Sequence, residues 1–164
     1  MTDKYSEQYA RMIRWYDRFA TLDKGQAHDR PSENYVDDVY AFFQNCYHLK
    51  DWIKNDPSLS ISSVDIENFI NGSASLLLCA DLCNSLKHLS LTRPRSSKNP
   101  TFGPKQYGLT LGGGAPTIRL KYQIDTSTGP IDAFTLATNC VNEWKTFFAA
   151  KGLSIPYAQG TMTN

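Results

Sequence analysis

The chain lacks any run approaching 18 consecutive apolar residues, which argues against a membrane span. It also lacks a signal-peptide pattern: Met1-Thr2-Asp3-Lys4-Tyr5 leads directly into a charged amphipathic segment, so the expected compartment is the cytoplasm, with no membrane partner. CxxC spacing is absent. The four cysteines (Cys46, Cys79, Cys83, Cys140) fall inside hydrophobic periodic segments and read as reduced core thiols. Glu-x-x-His and HExxH pairs are missing, so no metal ligand set is expected. Gly-Lys-Ser/Thr and Gly-x-Ser-x-Gly are missing too, which disfavours a P-loop and an α/β-hydrolase nucleophile and points to no cofactor.

One further absence is local. From Leu82 to Ile124, 43 residues contain no Asp or Glu but seven basic side chains: Lys87, Arg93, Arg95, Lys98, Lys105, Arg119 and Lys121. The rest of the chain holds 10 basic and 16 acidic residues, so the formal charge of +1 conceals a basic segment beside an acidic remainder. A positive stripe concentrates anions and supplies nonspecific affinity for a nucleic-acid backbone. The alternative is a solvated loop balanced by acidic helices.

What is present is enough for one domain. A chain of 164 residues, 41% hydrophobic, hides roughly 70% of its unfolded surface and needs no disulfide or metal to form a core. Tyr5, Tyr9, Met12, Tyr16 and Phe19 recur at spacings of three and four, predicting a helix over about residues 4–22. Arg30-Pro31-Ser32 restarts the chain into a second helix, about 33–54, which Asp56-Pro57 ends. Ser62 or Ser63 caps a third helix carrying Val64, Ile70, Ala74, Leu78, Leu82 and Leu89 and reaching as far as Leu91, with Asn71-Gly72 as a weak point. Two strand-like runs, 106–111 and 117–124, flank Gly112-Gly113-Gly114-Ala115-Pro116 as a hairpin. Ser127-Thr128-Gly129-Pro130 opens a last helix with Phe134, Ala137, Cys140, Val141, Trp144 and Phe148 in one stripe. The expected fold is mainly α: an antiparallel four-helix bundle with an inserted β-hairpin at about 106–124, spanning residues 1–152, and an irregular tail over 153–164.

Polar residues stand out against this pattern. Asp81, Asn84 and His88 share an arc of about 60° on the third helix, beside its apolar stripe. A carboxylate and an amide on the face of an imidazole can orient a base, or a protonated His88 can hold a phosphate. The competing reading is a hydrogen-bonded boundary row. Lys50 sits near the centre of the second helix's apolar arc, where an ammonium needs a partner such as Asp81 or a route to water along its own stem. His48 projects away from that arc.

A helical bundle whose third long helix ends in Asn84-Ser85-Leu86-Lys87-His88, followed by a basic loop, resembles the HEPN (higher eukaryote and prokaryote nucleotide-binding) superfamily. That superfamily comprises helical bundles, many of them RNA-cleaving toxins or defence effectors that act as dimers, with Arg, four to six residues, then His as their motif. Asn84 to His88 matches its polar-x-x-x-His half, whereas positions 81–83 hold no Arg and Arg93 follows the histidine. The resemblance implies RNA or a nucleotide as ligand, a second copy of the chain as partner, and metal-independent endoribonuclease chemistry. In that reading His88 handles the proton, Asn84 and Asp81 orient it, and Lys87, Arg93, Arg95, Lys98 and Lys50 hold phosphates. A noncatalytic interaction module using the hairpin and the basic loop fits the same residues.

Overall fold

The computed structural model describes residues 4–88 and 93–155. Its elements run α1 (Lys4–Lys24), β1 (Gln26–Ala27), α2 (Ser32–Lys54), α3 (Ser63–Gly72), α4 (Ala74–His88), β2 (Thr101–Thr110), β3 (Thr117–Asp125), β4 (Ile131–Asp132) and α5 (Ala133–Ala150). The fold is mainly α, with five helices and a small antiparallel sheet among the described residues.

The expected third helix is two. It stops at Gly72 and restarts at Ala74, and α3 and α4 meet at a bend of 102°. Gly72 has low helix propensity, and the Ser73 hydroxyl accepts the Leu76 N–H, which starts the second segment in a new direction. Leu89 and Leu91, which the longer helix was expected to include, lie outside the described residues. No single helix among those described is long and apolar enough to cross a membrane.

The other boundaries follow local chemistry. Gly25, at φ 114°, ends α1 in a conformation that suits glycine. Pro31, not Ser32, takes the cap position of α2 and gives it no side-chain hydrogen bond. α5 begins later than its sequence signal, because Asp132 rather than the Ser127–Pro130 segment caps it by accepting the Thr135 N–H at 2.8 Å. The hairpin is present and longer at its base than expected. β2 pairs with β3 from Thr101↔Asp125 to Thr110↔Thr117, and the short β1 and β4 add to β3. β2 is left as an edge strand.

The core explains the packing. α1 packs on α2, α2 on α4, α4 on α5 and α5 on α1, while β3 lies against α1 and α5. β3 alternates cleanly: Ile118, Leu120, Tyr122 and Ile124 are buried, and Thr117, Arg119 and Lys121 are exposed. Trp144 and Phe148 of α5 meet Tyr5 and Tyr9 of α1 in a chain of tilted and edge-on rings 5.1–6.3 Å apart.

Candidate phosphate-binding face of the second and fourth helices

The residues singled out in the sequence divide into two groups. Asp81 is 1% exposed, and both of its oxygens are occupied. Oδ1 accepts the Arg95 N–H at 2.7 Å; Oδ2 accepts the Ser96 N–H at 2.8 Å and the Ser96 hydroxyl at 2.6 Å. His88 lies seven positions after Asp81 on α4, about 10 Å along the axis. The carboxylate therefore anchors the loop that follows α4 and does not orient the imidazole.

Arg95 is likewise engaged. Its guanidinium donates to the Tyr47 hydroxyl at 3.0 Å, to Glu67 Oε2 at 2.8 Å and to Asn71 Oδ1 at 2.8 Å, tying the loop to α2 and α3. Lys54 also pairs with Glu67, and chiefly through that contact, helped by Arg95 against the effect of burial, the Glu67 carboxyl is held below its ordinary pKa. Lys50 pairs with Asp51 at 2.6 Å and lies 4.7 Å from the Tyr47 ring centre, rather than reaching Asp81.

The second group faces outward. Lys87 and His88 end α4 exposed, Asn84 is half-buried one turn earlier, and Arg93 is exposed beyond the undescribed segment. Lys98 is half-buried; its N–H donates to the Ser96 hydroxyl and its carbonyl accepts the Ser127 N–H, so Asp81, Ser96 and Lys98 form one fixed turn.

His48 stands on the Cys83–Lys87 side of α4, where its spacing along α2 did not place it. Its Nε2 lies 3.9 Å from Cys83 Sγ, one turn before Lys87 on α4. Among the charges near it, Cys46 weighs most on the Cys83 thiol, ahead of Lys50, Asp51 and Lys87. Burial dominates these influences and pushes the Cys83 thiol up to about 11, so it is no thiolate nucleophile near neutral pH. The available signal was the density of polar residues in His48-Leu49-Lys50-Asp51. Helix periodicity says which way His48 points but not which helix stands beside it.

A second surface was missed altogether. On α1, Arg11, Arg14, Trp15, Asp17 and Arg18 line an open hollow of about 460 Å³, with the Arg18 guanidinium 4.7 Å from the Trp15 ring centre and Arg11 5.3 Å from that of Trp52. Glu7 and Asp38 pair with Arg11 and Arg18, so much of this charge is already neutralised.

The core holds a donor set that local spacing did not reveal. Cys46, Cys79 and Cys140, from α2, α4 and α5, bring their sulfurs within 4.8 Å of one another, all buried. Cys79 donates to the Phe43 carbonyl and Cys140 to the Ser75 carbonyl, each at 3.4 Å. Burial raises the pKa of both of these thiols well above its ordinary value. Against the same burial, contacts from Cys140 and Cys79 hold Cys46 below its own.

Comparison with known proteins gives no match to a family model, to a curated protein or to a solved structure.

Proposed function

We propose that the chain is an RNA- or nucleotide-phosphate-binding helical domain that uses the α2–α4 face. The observation that carries this reading is the approach of His48 to Cys83, which sets an imidazole of α2 beside the α4 residue one turn before the exposed Lys87. Lys87 and Arg93 supply exposed cations in a segment without carboxylates, and the Asp81 anchor fixes the loop next to them. Such cations bind phosphate by charge and geometry without sequence readout.

The contacts among α1, α2, α4 and α5 fit a four-helix bundle with α3 as an added arm, the architecture this reading takes to be HEPN-like. Metal-independent RNA cleavage, as in a toxin or defence effector, is the stronger form of the proposal. It needs an acid or base near the 2′-hydroxyl and a cation near the phosphorane; His88, His48 and Lys87 are the groups available. Asp81 and Arg95 take no part in it, because their polar atoms hold the loop.

The test is fluorescence anisotropy with a labelled single-stranded RNA at low salt. Binding that weakens severalfold in Lys87→Ala and Arg93→Ala supports the reading; absence of binding by the wild-type chain at about 50 mM salt removes it. Cleavage that persists in chelator and disappears in His88→Ala supports the enzymatic form.

A noncatalytic interaction module has one observation in its favour. Tyr107, Leu109 and Leu111 are 41%, 57% and 78% exposed at alternating positions running from edge strand β2 into the hairpin tip. Large apolar side chains in solvent on an unpaired edge suit a protein partner.

A further inference from the structure

Cys46, Cys79 and Cys140 meet where α2, α4 and α5 converge, and each is 0% exposed. The same place holds a second, independent feature. Trp144, one turn beyond Cys140 on α5, is also 0% exposed, and its Nε1 is a buried donor with no hydrogen-bond partner among the described residues. Buried N–H groups are nearly always satisfied, so this one calls for an acceptor. None of the three sulfurs accepts it as the chain stands, and a thiolate formed there on metal loading is the acceptor it would gain.

We propose that the three sulfurs of Cys46, Cys79 and Cys140 form a trigonal site for a soft monovalent metal ion of the Cu(I) type, with Trp144 donating its N–H to the Cys46 sulfur. Three points of geometry and chemistry lead there. A metal–sulfur bond of about 2.3 Å places three sulfurs around a trigonal ion about 4 Å apart, and the observed limit of 4.8 Å is reached from that by small rotamer changes. The donor set is all sulfur, which selects thiophilic ions over hard ones. Among the described residues it also offers no fourth ligand: the group contains no imidazole or carboxylate and all three cysteines are fully buried, whereas structural zinc takes four ligands.

Loading exchanges thiol protons for the ion, one proton released for each thiol that ionises. The two carbonyls that now accept from Cys79 and Cys140 lose little by this, because Phe43 and Ser75 lie inside α2 and α4 and their carbonyls also serve the helix ladder. Trp144 is a positioning residue. It touches no ion and stabilises the thiolate that does. The consequence is a clamp joining α2 and α4, the helices that carry the candidate phosphate face, to α5.

The test is anaerobic refolding of the reduced full chain with Cu(I) supplied as its bicinchoninate complex, followed by gel filtration, metal analysis and ultraviolet thiolate-to-copper absorption. The expected result is one copper retained per wild-type chain, with quenched Trp fluorescence and a raised melting temperature. Cys79→Ala and Cys140→Ala should each lower retained copper at least tenfold. Cys83→Ala, whose sulfur lies on the His48 side, should retain one equivalent. Trp144→Phe should keep the stoichiometry but lose copper severalfold more readily to the competing chelator. Circular dichroism on each variant separates loss of the site from loss of the fold; should the alanine variants unfold, Cys79→Ser and Cys140→Ser carry the same expectation. No copper retained by the folded wild type, or equal retention by a folded Cys79 or Cys140 variant, overturns the proposal. One equivalent of Zn(II) held in preference to Cu(I) overturns the trigonal monovalent assignment.

Discussion

Asp81 Oδ2 accepts two hydrogen bonds from Ser96, one from its main-chain N–H at 2.8 Å and one from its hydroxyl at 2.6 Å. With the Arg95 N–H on Oδ1, this buried carboxylate satisfies three donors of a loop that has no regular secondary structure to pair with. Asp81→Ala should therefore lower stability by about 2–4 kcal/mol, since it strands two amides that a charged acceptor had satisfied. Asp81→Asn should cost less, because one carbonyl oxygen remains. Urea denaturation measures both. An Asp81→Ala chain of wild-type stability that has lost RNA affinity would return this residue to the functional face.

Acid sensitivity follows from Asp56. Although burial opposes it, bonds from Ser58 and from the Tyr5 and Lys4 amides hold this carboxyl below its ordinary pKa. The Tyr5 N–H is one of the unpaired donors at the start of α1, so Asp56 acts as a remote cap for that helix. A carboxyl depressed on folding contributes stability above the unfolded value near pH 4, and that contribution is lost as pH falls through the lower folded value. Glu67, depressed chiefly by Lys54, adds to the same trend. Urea midpoints at pH 7, 4, 3 and 2 should fall steeply for the wild type below pH 4. Asp56→Asn should be less stable at pH 7 and show a shallower fall; identical slopes would contradict the assignment.

The helices were legible because their apolar spacing is strong and their ends carry Gly25, Asp56-Pro57 and Ser62. The hairpin was legible from Gly112-Gly113 between two short runs. The break at Ser73 was visible only as a weak point, since Asn71-Gly72 lowers propensity without fixing a direction, whereas the Ser73 cap fixes it. The site was legible in part. Periodicity put Asp81, Asn84 and His88 on one arc, but it could not show that the loop at Arg95 and Ser96 would fold back onto Asp81. The partners of His48 and of the three core cysteines are equally matters of which helix lies alongside, and no spacing within one helix contains that information, whereas Lys50 meets Asp51 and Tyr47 of its own helix.

For the phosphate face, the expected readout is salt dependence. Each cation that displaces a counterion from a single strand contributes about 0.7 to the slope of log affinity against log salt. Lys87→Ala and Arg93→Ala should each reduce the slope by roughly that amount and weaken binding of unrelated RNA sequences alike. Arg95→Ala should instead lower thermal stability, because its guanidinium bridges Glu67, Asn71 and Tyr47. A slope unchanged in both the Lys87 and the Arg93 variant would place RNA elsewhere, with the Arg11-Arg14-Arg18 hollow as the next surface to examine.

The hairpin separates a binding role from a folding role. Leu109 and Leu111 are more than half exposed, so replacing both with Ser removes little buried area and should change unfolding free energy by less than about 0.5 kcal/mol. The cross-strand partner of Leu109, Ile118, is 2% exposed, and Ile118→Ser should in contrast cost several kcal/mol through a polar group placed in the core. Sedimentation velocity of the Leu109→Ser/Leu111→Ser chain then tests association through β2. If the wild type self-associates and the double variant runs as a monomer of unchanged stability, the exposed edge is an interface between copies. If both sediment as monomers at high concentration, self-association through this edge is excluded.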